Sequence, residues 1–140
     1  HLDLHCTILH PKIEIRTEEA RKILKPHVSL QQHVQQTGNA AGLVLGLVQG
    51  NAELVQRCLD DVIVEPVRAT LIPGFYEMKA AAINAQALGC SISGSGPSLF
   101  ALSLSEEHAK KIGEHMAKAC QFDCDLYISK INTKGPRVLS

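Results

Sequence analysis

Residues able to do chemistry fall in three places along this 140-residue chain. The first is GCSISGSGPSLF, Gly89–Phe100, with Gly94, Gly96 and Pro97 at its centre. Apolar residues flank the glycines, so the stretch reads as strand, tight turn, strand. Glycine at 94 and 96 permits positive φ and close backbone approach, and Pro97 fixes φ and removes a donor as the second strand begins. Such a turn can aim backbone N–H groups and the hydroxyls of Ser93, Ser95 and Ser98 at one anion. A plain β-hairpin turn accounts for the same residues. The second place is Thr17 and Arg21, four apart and so on one side of a short helix. Arg21 either reaches a ligand or pairs with Glu18 or Glu14. The third is Arg68, the one base in the segment 60–74, DDVIVEPVRATLIPG. It can pair with Glu65, or hold a planar carboxylate in the bidentate geometry that guanidinium favours.

These three places need elements to bring them together. Leu4–Ile8 reads as a strand closed by His10 and Pro11. Thr17 is an N-cap followed by Glu18 and Glu19, and Pro26 stops that helix near Lys25. Ser29 caps a long helix running through Gln31–Gln49. Gly42 and Gly46 lie one turn apart on it, a spacing that reads as a buried helix closely packed. Gly50 ends it, and Asn51 caps the next helix, Ala52–Leu59. Phe75–Leu88 is a helix terminated by Gly89. After a strand near Pro97–Ser103, Ser105 starts an amphipathic helix to about Cys120, with Ala109, Ile112, Met116 and Ala119 facing a core. Asp125–Ile131 is a last strand, and Arg137–Leu139 a short terminal one. This order predicts an α+β sandwich, a sheet with helices on one face.

Composition narrows the function classes. Hydrophobic residues make up 45% and charged residues 20%, which suits one soluble globular domain. Fourteen basic residues balance fourteen acidic ones without a dense Lys/Arg cluster, which argues against nucleic-acid binding. The most apolar window, Ala40–Val48, is about half a membrane span, so no membrane helix is expected. Five cysteines form an odd set with no C-x-x-C pair, the pattern of reduced cytosolic thiols rather than disulfides or a zinc site. His108 and His115 lack a ligand set, and no metal site is expected. There is no phosphate-binding loop of the G-x-x-x-x-G-K-[ST] type, no dinucleotide fingerprint and no nucleophile elbow. The chain begins with His1, which reads as a piece of something longer.

Gly94-Ser95-Gly96-Pro97-Ser98, following Ile92 and Ser93, resembles the third motif of the GHMP kinases, which lies in their C-terminal domain. Within that superfamily, His10–Arg21 (HPKIEIRTEEAR) is similar to the segment that opens this domain in the homoserine kinases. Asp61–Arg68 with Leu71–Phe75 resembles a second signature of theirs, and Ile131–Leu139 resembles their C-terminus. The resemblance implies that residues 1–140 form a ferredoxin-like C-terminal domain with an antiparallel sheet. It implies half of a cytoplasmic, threonine-biosynthetic enzyme that uses ATP to phosphorylate the hydroxyl of L-homoserine. Thr17, Arg21 and Arg68 would bind substrate, and Ser93, Gly94, Ser95 and Gly96 would form an active-site loop. Catalytic residues, ATP and Mg²⁺ would belong mainly to an N-terminal domain outside this chain, leaving the piece inactive alone. A homodimer is compatible with the family. The alternatives are another GHMP small-molecule kinase, an amino-acid-binding regulatory module of ferredoxin-like fold, or a dimerising domain built on the Gly42/Gly46 helix.

Overall fold

The computed structural model describes residues 2–136 and 138. Its sheet contains β1 (His5–Pro11), β2 (Gly89–Ile92), β3 (Leu99–Ser103) and β4 (Cys124–Lys130), in the order β2–β3–β1–β4. Every pairing is antiparallel, with Leu9 opposite both Leu99 and Leu126, and Cys90 opposite Ala101. Between β1 and β2 lie α1 (Thr17–Lys22), α2 (Leu30–Gln49), α3 (Ala52–Cys58), α4 (Glu65–Arg68), a 3₁₀ turn at Ala69–Leu71, and α5 (Phe75–Asn84); α6 (Glu106–Ala119) joins β3 to β4. With α1–α4 taken as an insertion, the order is βαββαβ, the ferredoxin-like arrangement that the resemblance implies.

Alternation on the strands builds the core. Thr7 and Leu9 of β1 and Leu99, Ala101 and Ser103 of β3 are buried, their neighbours less so. Onto that face α5 lays Phe75, Met78 and Ala82, and α6 lays Ala109, Ile112 and Met116. Full burial of each large side chain contributes about 1.5–3 kcal/mol. The Thr7 hydroxyl donates to the Ala109 carbonyl at 2.8 Å, so this buried polar side chain under α6 is satisfied.

Several element ends differ from the sequence reading, each for a local reason. β1 continues through Pro11, because past Leu9 it pairs only with β4, and an open side tolerates a missing donor. Arg16, not Thr17, occupies the N-cap of α1, and it makes no side-chain cap bond. That helix stops at Lys22, with the Ile23 N–H returning to Glu19. α5 ends at Asn84 rather than Leu88. Gln86 takes a left-handed conformation (φ 66°) and Ala87 donates back to Ala82, the closure that glycine more often makes; Gly89 is the first residue of β2. The second hairpin strand begins at Leu99, and β4 is shifted by one residue to Cys124–Lys130. The terminal strand expected at Arg137–Leu139 lies outside the described residues.

The caps at Ser29, Asn51 and Ser105 form as expected. Ser29 and Gln32 complete a reciprocal capping box. Gly42 and Gly46 do allow close packing: a Cβ there would meet Cys58 Sγ at 2.4 Å and Val55 at 3.0 Å. The rest of α2 corrects the expectation of a buried helix, since Gly46 alone is buried on it. Among the described residues no helix is long and apolar enough to cross a membrane.

Candidate functional site

The position of Arg68 is set by the start of α4. The Asp61 carboxylate accepts from the Ile63 and Val64 N–H groups at 2.9 and 2.8 Å, and Gln36 Oε1 accepts from the Val62 N–H at 2.9 Å. Pro66 lies in the first turn, where a missing N–H costs no helical bond. Four residues of helix then carry Arg68 toward α1 and the glycine turn. Its Nε donates to the Ala20 carbonyl at 3.1 Å, and its Nη1 to the Gly94 carbonyl at 2.9 Å. One guanidinium therefore bridges α1 and the turn, leaving the second Nη1 hydrogen and both Nη2 hydrogens for a ligand.

Glu65 is not the partner of Arg68. It is buried, 5% exposed, pairs with Lys79, and accepts from the Ser91 hydroxyl at 2.6 Å. Arg21 is not held by Glu18 either, because Glu18 pairs with Lys22 at 2.6 Å. Arg21 is exposed on α1, beside Ala20 and one turn after Thr17. The Thr17 hydroxyl lies 3.5 Å from that of Ser95.

The turn is a hairpin connection of defined shape. Ser93 donates to the Ser98 carbonyl at 2.7 Å, and Gly96 to the Ser93 carbonyl at 3.2 Å. Gly94 and Gly96 have φ of 63° and 85°, and the Gly96–Pro97 bond is cis. A Cβ on Gly96 would come within 3.0 Å of Ile72, whereas one on Gly94 would meet open space. Gly96 is thus seated on Ile72, the residue just past the 3₁₀ turn, and Gly94 is presented to solvent. Among the described residues, the N–H groups of Gly94 and Ser95 donate to no backbone carbonyl.

Thr17, Arg68, Gly94 and Ser95 are joined by contacts, while Ser93 and Gly96 shape the turn from within. Arg21 shares α1 with Thr17 but makes no described bond to the turn. Sequence reasoning missed His10, whose Nδ1 lies 2.8 Å from the Ser98 hydroxyl, and the Lys79–Glu65–Ser91 group. It also missed the Ala20 carbonyl as an anchor, which no side-chain pattern signals. Guanidinium, hydroxyl and amide donors suit a carboxylate or phosphate. Among the described residues no carboxylate is hydrogen-bonded into this group, and carboxylates are the charged ligands that Mg²⁺ takes from protein.

Residues 43–121 match the family model described as GHMP kinases C terminal. The chain is 46% identical over 142 residues to a homoserine kinase of Chlorobium phaeobacteroides, covering 98% of this chain and 44% of that relative. It is 38% identical to a homoserine kinase of Pyrococcus furiosus, covering 93% of this chain and 44% of the relative. A crystal structure of homoserine kinase from Cytophaga hutchinsonii superposes with a TM-score of 0.94 at 49% identity, over 99% of this chain and 45% of that one. Streptococcus pneumoniae phosphomevalonate kinase shares the fold, at a TM-score of 0.71 and 19% identity over 93% of this chain and 40% of its own. The chain spans a little under half the length of the relatives it matches. Since the matched stretch, 43–121, takes in both Arg68 and the glycine turn that it bridges to α1, the chain belongs to the GHMP kinase C-terminal family.

Proposed function

We propose that this chain is the substrate-side half of an ATP-dependent kinase that converts L-homoserine to O-phospho-L-homoserine. The observation that carries the proposal is the Arg68 bridge, which gathers Thr17, Ser95 and the spare guanidinium hydrogens at one place. The identity to proteins named homoserine kinase, spread over nearly the whole chain, supports the choice of substrate. In this reading Arg68 and Arg21 face the amino acid's carboxylate, and Thr17 contacts it beside them. The turn Ser93–Gly96 borders the hydroxyl that receives the phosphoryl group. Phosphoryl transfer asks mainly for positioning and charge stabilisation, and this half supplies the first. ATP and Mg²⁺ would be held mainly by an N-terminal half of the same polypeptide, which would account for the part of the relatives' length that this chain does not span. The reading places the enzyme in threonine biosynthesis and in the cytoplasm.

The test is steady-state kinetics on the two-domain polypeptide and on this chain alone. The two-domain protein turns over ATP only with homoserine among small hydroxylated substrates, and the chain alone has no turnover. Turnover by the purified chain, or equal activity with mevalonate, sinks the assignment.

A further inference from the structure

Helix α4 is four residues long, too short to hold its own place, since an isolated helix needs about 12–15 residues to persist in water. Arg68 is therefore placed by the side-chain bonds that α4 makes with its neighbours. Two of these bonds join the same pair of segments. The Ser91 hydroxyl donates to Glu65 Oε2 at 2.6 Å, and Arg68 Nη1 donates to the Gly94 carbonyl at 2.9 Å. Glu65 and Arg68 are three apart, hence on one side of α4. Ser91 and Gly94 are three apart where β2 runs into the glycine turn. The bonds are thus two rungs between α4 and the strand that carries the turn. The rung at Glu65 is the buried one, and Gly94 lies exposed at the end of the other.

We propose that Ser91 is a positioning residue for Arg68, acting through Glu65; what Arg68 meets there rests on the kinase reading above, whereas its placement does not. Glu65 is held from two sides, by Lys79 of α5 on Oε1 and by Ser91 of β2 on Oε2. Among the described residues no other side chain donates to Oε2. Without the Ser91 hydroxyl, Glu65 is held from α5 alone, and α4 can turn about the Lys79 pair. The Arg68 fork has to meet the Ala20 and Gly94 carbonyls together, and hydrogen bonds weaken steeply with misalignment. A small rotation of α4 therefore reaches both contacts and the guanidinium hydrogens left for a ligand. Threonine can replace Ser91 and keep the donor. A groove of about 270 Å³, lined also by Gln36, Leu43 and Phe100, opens beside it and gives the extra methyl room.

Two measurements test this, both made below the melting transition of every variant. NMR of this chain follows solvent exchange of the Arg68 Nε–H, which is bonded to the Ala20 carbonyl. Ser91→Ala speeds that exchange at least about fivefold, as local opening becomes easier, and Ser91→Thr restores it. In the two-domain polypeptide, Ser91→Ala lowers kcat/KM for homoserine about fivefold and leaves the KM for ATP within about twofold, part of the effect of one charge-assisted bond. Ser91→Ala adds less than about twofold to the loss caused by Arg68→Lys, because residues acting through one another are not additive. Unchanged exchange in Ser91→Ala overturns the inference, as does a Ser91→Thr chain that behaves like Ser91→Ala. Additive losses in the double variant overturn it by placing the action of Ser91 elsewhere. A homoserine-active enzyme whose Ser91→Ala form keeps its kcat/KM overturns it and leaves the kinase reading standing. Faster exchange in Ser91→Ala, beside a wild-type two-domain polypeptide inactive on homoserine, overturns the kinase reading and supports the placement of Arg68 by Ser91.

Discussion

Glu65 and Lys79 form an ion pair below the surface, their side chains 7% and 22% exposed. The carboxylate's second oxygen takes the Ser91 hydroxyl, so α4, α5 and β2 are joined at one point. Removing one partner strands the other charge in a poor solvent, whereas removing both does not. We therefore expect Lys79→Met to destabilise the fold by about 3–5 kcal/mol, and Glu65→Leu with Lys79→Met to recover most of that loss. Urea unfolding of the wild type and these two variants measures it. A Lys79→Met chain as stable as wild type refutes the pairing.

The two glycines of the turn should respond differently to alanine. At Gly94 the added methyl meets open space, so only the positive φ is penalised, by about 1–2 kcal/mol. At Gly96 the same backbone penalty applies and the methyl also presses on Ile72 Cδ1 at 3.0 Å. Gly96→Ala should lower stability by at least about 1 kcal/mol more than Gly94→Ala, within the range of overpacked sites. Thermal unfolding of both variants decides; equal losses would mean that Ile72 moves aside freely.

Cys90 is fully buried, and that burial pushes its thiol from 9.0 up to about 12. The folded chain then keeps this proton where the unfolded chain releases it. The contribution of Cys90 to stability is present below pH 9 and is lost as pH rises from 9 toward 12. Two measurements follow: Cys90 resists thiol-specific labelling at pH 8 until the chain unfolds, and Cys90→Ala reduces the fall in stability above pH 9. Prompt labelling of Cys90 in the folded chain contradicts this.

What the sequence makes legible here is local. Ser29, Asn51 and Ser105 cap helices through bonds to residues three positions on, so each signal and its partner sit in one short window. Gly94 and Gly96 announce a turn for the same reason. The partners of Arg68 are 48 and 26 residues away, and Lys79 reaches Glu65 across 14. Only the assembled sheet brings those groups together, and a nearer carboxylate looks as good on paper. α2 misleads for another reason. Its glycines and alanines show that something can pack closely against it, and the domain uses that capacity on one side only. Helix α5 stops early because Gln86 adopts a conformation that side chains of its type seldom take.

Arg68 and Arg21 stand in different relations to the turn, and kinetics on the proposed two-domain enzyme should separate them. Arg68 is tied into the scaffold through the Ala20 and Gly94 carbonyls. Arg68→Lys keeps the charge but cannot span both carbonyls with a planar fork. Each lost charge-assisted bond is worth about 1.5–3 kcal/mol, so kcat/KM for homoserine should fall at least about tenfold. The turn is released from α1 in that variant, and kcat should therefore fall together with the rise in KM. Arg21 has no such scaffold bond among the described residues, and Glu18 is committed to Lys22. Arg21→Ala should raise the KM for homoserine while leaving kcat within about twofold, the signature of lost uniform binding. Normal kinetics in both variants would remove the two arginines from the site. An Arg68→Lys enzyme altered in KM alone would show that the bridge to Gly94 does not position the reacting group.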